Sequence, residues 1–236
     1  MLSHIQQQLK LAVDAVVFGY DGQHLRILLI RQKFGVLKDR WALPGGFVLD
    51  TETLGEAVAR ELLEETGVKT NYLEQLYTFG DQLDRDPRGR VVSVAYFGLV
   101  RPEKLRLKAT GDAAEARWYS LNELPELAFD HGNIIEVALS RLRAKLYYQP
   151  VGFELLKRNF PFSDLENLYV ALLGREIDRR NFRKKMLSLG ILTETGEKIK
   201  LGPGRPASLY RFVRSKYRAL ERSQSGFSIN LGTSGK

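Results

Sequence analysis

The sequence contains no cysteine, which excludes disulfide frameworks, thiolate zinc sites and a cysteine nucleophile. Histidine is nearly as scarce. His4, His24 and His131 are too few and too scattered for a histidine-rich metal site, so any metal here would be a hard cation held by oxygen ligands. No apolar run reaches the roughly 18 residues of a membrane span. MLSHIQQQLKLAVDAVVF has no basic leader ahead of its apolar stretch, so a cytoplasmic protein with no membrane partner is expected. Proline is sparse, at 8 residues. What is present, 44% hydrophobic and 27% charged residues in 236, is the composition of a globular protein with room for one large domain or two modest ones.

The net charge of +8 is unevenly distributed. Residues 1–150 carry 19 Lys plus Arg against 20 Asp plus Glu, whereas residues 151–236 carry 17 against 8. The excess positive charge therefore lies in the last third. It points either to an acidic partner, nucleic acid being the commonest, or to a basic solvated extension. Pro150 and Pro161 bracket a segment without sustained periodicity, which sets the boundary between two domains. The expected division is 1–150, 151–222 and a flexible tail, 223–236.

In the first domain, LAVDAVVFGY and LRILLIRQ read as strands joined by a turn at Asp21 and Gly22, and NYLEQLYTF and RVVSVAYFGLV as two more. A helix begins with the capping-box pair Thr53 and Glu56 and ends at Gly67. NIIEVALSRLRAKLYY reads as an amphipathic helix that Asp130 could cap. Interleaved strands and helices make this a mixed α/β unit. The second domain opens with Ser163 and Glu166, again in capping-box spacing, ahead of a helix ended by Gly174. A second helix runs from about Asp178 to Leu189, with Phe182, Met186 and Leu189 toward the core. ILTETGEKIKL and ASLYRFVR then form a ribbon around LGPGRP. Helix, turn, helix, ribbon is the layout of a winged helix-turn-helix.

The most specific signal is Gly46, five residues, Glu52, seven residues, then Arg60-Glu61-Leu62-Leu63-Glu64-Glu65-Thr66-Gly67-Val68. On a helix Glu61, Glu64 and Glu65 stand at i, i+3 and i+4 and share one face. Three like charges so close repel unless a cation neutralises them, and Mg²⁺ or Mn²⁺ suits such oxygen donors while bridging to a pyrophosphate. Arg60 can orient the cluster by pairing with Glu52 or Glu56. A solvated acidic face would account for the glutamates by themselves; it would not account for the full spacing with its glycines.

This pattern resembles the Nudix box at every defined position. The resemblance implies an α/β/α sandwich with a mixed sheet and hydrolysis of nucleoside diphosphates linked to another moiety, using Mg²⁺ or Mn²⁺. It implies metal ligation by Gly45, Glu61, Glu64 and Glu65, catalytic roles for Glu61 and Glu64, and an orienting role for Arg60 with Glu52. Gly45, Gly46 and Arg60 would also contact the ligand. Glu115, in EARWYSLNELP, sits where many relatives carry a further acidic metal ligand or base.

In GREIDRRNFRKKMLSLG, Arg180, Arg183 and Lys184 fall at i, i+3 and i+4, and Arg179 with Arg183 at i and i+4, away from Phe182 and Met186. That spacing lets the core face hold the helix while the cations reach a phosphate backbone or base edges, and Arg205 in LGPGRP could enter a minor groove. Together the halves resemble the Nudix-related transcriptional regulators of bacteria. The likeness runs from about Ala12 to Phe212 and is carried by WALPGGFV, DRDPRGRVVSVAYFGLV, LAFDHGNII, DRRNFRKKMLSLGILTETGE and GPGRPASLYRF. It implies a homodimeric repressor of the NAD-metabolism (NrtR-like) branch, released from operator DNA by ADP-ribose or a related nucleotide. Another branch answers to pentoses. A pyrophosphate ligand has use for a carboxylate face and a free sugar does not, so the intact box favours ADP-ribose. An Mg²⁺-dependent hydrolase giving AMP and ribose 5-phosphate is the alternative. Asp81, Asp84, Arg85, Asp86 and Arg88 are candidates for the pocket rim, with Arg85 and Arg88 as its ligand-binding cations. A plain charged turn over Asp86, Pro87, Arg88 and Gly89 is the competing reading.

Overall fold

The structure, a computed structural model, describes residues 9–70, 73–102 and 106–222. It divides into two compact units, one built from residues up to Gly19 with Arg26–Ala138, the other from Tyr20–Leu25 with Leu139 onward.

The first unit is built on a mixed sheet. Strand β1 (Lys10–Tyr20) is buried over its last nine residues. It runs parallel to β6 (Val91–Val100) over the pairs Lys10↔Val91 to Gly19↔Val100. A strand paired in parallel at the sheet centre is covered on both faces, which is why LAVDAVVFGY reads as a nearly continuous apolar run. β5 (Leu73–Phe79) pairs antiparallel with β6 at one edge. β2 (Leu25–Gln32) neighbours β1 on the other side and pairs antiparallel with β3 (Trp41–Ala42) and β7 (Ala113–Ser120). β4 (Gly45–Phe47) adds to β1 in the register Asp14↔Gly45. Helix α1 (Leu54–Thr66) packs Ala57, Val58 and Leu62 against Val13, Ala15 and Val17 of β1. Asp14, on the opposite face by strand alternation, meets His131, the first residue of α2 (His131–Lys145).

The expected turn is present: Asp21 Oδ1 accepts the amides of Gln23 and His24, and Gly22 takes φ +97°. So are both ends of α1. Thr53 and Glu56 form the reciprocal capping box, and Gly67, at φ +72°, donates to the Leu63 carbonyl. Asp130 stands ahead of α2, but both its carboxylate oxygens accept from Arg85 rather than capping the helix. The short strands β3 and β4 and the strand β7 were not anticipated. β7 carries no clean alternation of buried and exposed residues, because AAEARWYS is only partly covered.

In the second unit, α3 (Phe162–Leu173) buries Leu165, Leu168, Tyr169 and Leu172 and closes at Gly174, φ +68°. The Ser163–Glu166 capping box does not form. The helix starts two residues earlier, Pro161 holds the cap position without a side-chain bond, and Glu166 turns to Arg179. α4 (Arg179–Ser188) is capped by Asp178, which accepts the Asn181 amide, and buries Phe182 and Met186. β9 (Leu192–Ile199) and β10 (Ala207–Phe212) form the expected ribbon, extended by the two-residue β8 (Phe160–Pro161) to the order β8-β10-β9. A further basic helix, α5 (Arg214–Arg222), follows. The unit is a winged helix-turn-helix. The tail expected at 223–236 lies outside the described residues.

Candidate functional site

The register Asp14↔Gly45 brings β4 against β1 so closely that a Cβ on Gly45 would lie 2.2 Å from the Val13 carbonyl oxygen. A Cβ on Gly46 would lie 2.3 Å from Glu61 Oε1, the movable end of a side chain. The two glycines thus let strand and carboxylate helix meet, and a cleft of about 340 Å³ opens beside them. The acidic residues lining it are Glu61 and Glu65 from α1, Asp14 from β1, Asp86 and Asp112. Its cationic side comprises Arg60, Arg85 and Arg88.

Arg60 organises the helix face. Its Nε and Nη2 donate to the two Glu52 oxygens at 2.9 and 2.6 Å, its Nη1 to Glu61 Oε1 at 2.8 Å, and its Nη2 also to the Phe47 carbonyl. The hydrogen bonds from Arg60 and the Leu49 amide hold Glu52 down at about 2, and the carboxylates in turn raise the Arg60 guanidinium. Of the two partners the sequence allowed for Arg60, Glu52 is the one found; Glu56 is spent on the Thr53 cap. Glu65 is buried and accepts the Gly45 amide at 2.8 Å. Burial, with the negative charges of Glu61, Asp112 and Asp14 adding to it, pushes its carboxyl up to about 8 despite that hydrogen bond. Burial also raises Glu61, against the pull of Arg60.

The carboxylates are right in kind for a hard divalent ion, and in this structure each is engaged by a protein group. Among the described residues no three His, Asp or Glu side chains converge on a common point. Glu61 is engaged by Arg60, Glu65 by the Gly45 amide, and Glu64 is largely exposed with Arg60 at 3.4 Å. Glu115 is not brought to the cleft at all. It stands on β7 opposite Arg31, with Arg31 Nε at 3.5 Å. Asp112, three residues earlier, occupies the cleft in its place.

Arg85 and Arg88, from the segment between β5 and β6, both line the cleft. Arg85 is only 3% exposed at its side chain, donates to both oxygens of Asp130 at 3.0 and 2.5 Å, and has Asp14 at 3.9 Å. Burial opposes the charge on Asp14, but His131, Ser93 and Arg85 outweigh it and hold the carboxyl below its usual range. His131 accepts the Leu43 amide at Nδ1, which leaves Nε2 as the nitrogen facing Asp14 Oδ1 at 3.4 Å. Arg88 is pinned by two Asp86 oxygens, with its guanidinium 4.8 Å from the Phe47 ring centroid and 5.0 Å from that of Phe129. Phe129 takes φ +54°, a costly conformation for an aromatic residue that the surrounding packing must hold. Asp86 also accepts the Arg88 amide and the Gly89 amide, so the segment is at once a charged turn and a wall of the cleft. Asp81 lines a neighbouring cavity instead, and Asp84 lines neither. Sequence reasoning missed Asp14, Asp112, His131 and the two phenylalanines. The one local signal was Asp14, a lone charge inside an apolar strand.

In the second unit the candidate DNA-contacting cations separate into two groups. Arg179 bonds Asn167 Oδ1 at 2.9 Å and has Glu166 and Glu176 at 3.7 and 3.8 Å. Arg183 lies over the Phe162 ring at 4.4 Å, with Tyr210 at 5.9 Å. It stays exposed, as its helical position implies, while its guanidinium covers the Phe162 ring. Arg180, Lys184 and Arg205 are exposed and have no ion-pair or hydrogen-bond partner among the described residues. These three remain available to an anion.

Comparison with known proteins agrees with this division. Residues 8–138 match the NUDIX domain family and residues 152–212 the NrtR DNA-binding winged helix domain family. The chain is 36% identical over 211 residues to the ADPR responsive transcriptional repressor NtrR of Acinetobacter baylyi, an alignment covering 88% of this chain and 83% of that protein. It is 44% identical over 126 residues to the ADP-ribose pyrophosphatase of Methanocaldococcus jannaschii, covering 53% of this chain and 70% of that protein. Among solved structures it is similar to Shewanella oneidensis NrtR complexed with a 27mer DNA, with a TM-score of 0.76 and 35% identity, over 88% of this chain and 95% of that one.

Proposed function

Since the chain belongs to the NrtR family, in which a Nudix domain is joined to a DNA-binding winged helix, we propose that it is a transcriptional repressor of NAD-metabolism genes whose grip on operator DNA is weakened by ADP-ribose. The observation that carries this reading is the pairing, in one chain, of a charged cleft built on a complete Nudix box with a winged helix whose Arg180, Lys184 and Arg205 are unengaged. ADP-ribose is the ligand common to two relatives: the responsive repressor, similar over most of the chain, and the pyrophosphatase, similar over the Nudix half. Arg88, bonded to Asp86 and lying against two rings, would meet a pyrophosphate at the cleft mouth. A cation immobilised beforehand loses little entropy on binding. A free pentose carries no charge to match these guanidinium groups.

The domains act as 1–150 for the ligand and 151–222 for DNA. The protein binds as a homodimer, one winged helix per half-site of a two-fold operator. Such a regulator works in the cytoplasm, and no helix among the described residues is long and apolar enough to cross a membrane. By linkage, a ligand that weakens DNA binding is itself bound more weakly by the DNA complex, by the same factor. Divalent metal is a general attribute of Nudix domains. In its finer assignment here, Mg²⁺ or Mn²⁺ is held by Gly45, Glu61, Glu64 and Glu65, Glu61 serving through Oε2 while Oε1 accepts from Arg60.

The likeness to the pyrophosphatase supports a second reading, hydrolysis of ADP-ribose to AMP and ribose 5-phosphate. Fluorescence anisotropy on labelled DNA from upstream of the protein's own and neighbouring NAD-metabolism genes, titrated with ADP-ribose with and without Mg²⁺, tests the proposal. Specific binding released by ADP-ribose is the expected result. Binding no tighter than to scrambled DNA, together with AMP release, would transfer the function to the hydrolase.

A further inference from the structure

The cleft beside the Nudix box adjoins a second cavity of about 210 Å³, and Gln32, Arg88, Asp112 and Phe129 line both. The two lobes differ in chemistry. Arg60, Glu61 and Glu65 of the box line only the larger lobe, while Phe34, Val36 and Leu37, from the segment between β2 and β3, line only the smaller. A nucleoside diphosphate divides in the same way, into a charged pyrophosphate and a flat base with two apolar faces.

Phe34 is 59% exposed and Val36 74% exposed. Single exposed apolar residues need no explanation in general, but these two are set at the lip of a polar cleft on a segment whose backbone is well tied. The Lys33 amide donates to the Asp112 carbonyl, Asp39 to Gln32 and Gln32 to Arg40, each at 2.9 Å. Gly35, at φ +80°, supplies the left-handed turn between the two side chains, a conformation that a residue with a Cβ adopts at a cost. The Lys33 ammonium stands 5.0 Å over the Phe34 ring. An ordered segment thus holds an aromatic ring in solvent at the end of a phosphate-sized cleft.

Resting on the nucleotide reading above, we propose that this second lobe is the base subsite and that Phe34 is the platform on which the base of the ligand stacks. The pyrophosphate lies against Arg88 at the junction and the base extends past it over Phe34. Stacking a base on an aromatic side chain is worth about 5- to 150-fold in affinity.

The test is isothermal titration calorimetry of the full chain with ADP-ribose and with inorganic pyrophosphate, which has no base, for wild type, Phe34→Ala and Phe34→Trp. Because Phe34 is exposed, neither substitution is expected to move the unfolding temperature. The expected result is a loss of about 10-fold or more in ADP-ribose affinity for Phe34→Ala, unchanged pyrophosphate affinity, and wild-type or tighter ADP-ribose binding by Phe34→Trp. The subsite is overturned if Phe34→Ala binds ADP-ribose within about twofold of wild type, or if it weakens both ligands equally. A wild type that takes neither ligand would overturn the nucleotide reading and the subsite together, so the two failures are distinguishable.

Discussion

Arg85 offers a sharp test of how the cleft is held. Its side chain is 3% exposed and that of Asp130 12%, and they share two hydrogen bonds of 3.0 and 2.5 Å. Replacing Arg85 by Met keeps most of the stem's volume, so the cost is electrostatic: Asp130 loses both donors, and Asp14, 3.9 Å away, loses a cation. Each hydrogen bond to a charged group contributes about 1.5–3 kcal/mol, and stripping one partner from a buried pair costs about 3–5 kcal/mol. Arg85→Met should therefore destabilise the first unit by roughly 3–5 kcal/mol, on the order of 10 °C in Tm for a domain of this size. Adding Asp130→Asn removes the stranded charge, so the double variant should be more stable than the sum of the singles by at least about 2 kcal/mol. Urea unfolding followed by tryptophan fluorescence reads this unit alone, because Trp41 and Trp118 are the two tryptophans and both belong to it. A cost for Arg85→Met under about 1 kcal/mol, or additive single variants, would refute the pairing as the source of rigidity.

Three further outcomes are expected. Glu65 titrates at about 8 in the folded protein against an ordinary 4.5, so its favourable, protonated contribution is complete below about pH 4.5 and is lost as pH rises through about 8. Glu65→Gln should consequently gain on wild type as pH rises, by on the order of 3 kcal/mol at pH 7, and urea unfolding profiles at pH 5 and 8 that stay parallel would contradict this. Gly45→Ala, whose Cβ meets the Val13 backbone oxygen at 2.2 Å, should cost about 1–3 kcal/mol or more. Gly46→Ala, which meets only the Glu61 carboxylate, should spare stability while lowering ligand affinity. In the winged helix, Arg183→Ala should lower stability by about 0.5–2 kcal/mol through loss of its stack on Phe162. Arg180→Ala should instead leave stability within about 0.5 kcal/mol and reduce the salt slope of DNA binding by about 1, as read by anisotropy across a salt series.

Several elements were legible because their causes are local. The capping box of α1 closes over three residues and Gly67 ends the helix by its own backbone conformation, so Thr53, Glu56 and Gly67 could be assigned without knowing what α1 packs on. The same capping logic failed at Ser163 and Glu166. There the entry of the chain from β8 starts α3 early, and Arg179, thirteen residues beyond Glu166, takes its carboxylate. Asp130 went astray for the same reason, captured by Arg85 from 45 residues away. β7 and α5 escaped notice because neither carries a clean apolar period; AAEARWYS is half-covered and RSKYRALER is dominated by charge.

The sequence by itself determined that one helix would carry Arg60, Glu61, Glu64 and Glu65 in fixed order, since helical geometry turns spacing into facing. It likewise determined that a basic helix and ribbon would follow. Only the tertiary structure decided how those charges are used. It gave Glu61 to Arg60, buried Glu65 against the Gly45 amide, put Asp112 rather than Glu115 in the cleft, and separated Arg183, stacked on Phe162, from the unengaged Arg180 and Lys184. The physical reason is range. A helix face is set by bonds within four residues, whereas the state of a charge is set by burial and by whichever opposite group the fold brings within hydrogen-bonding distance, and such a partner can lie far off in sequence, as Gly45 does from Glu65, 20 residues away.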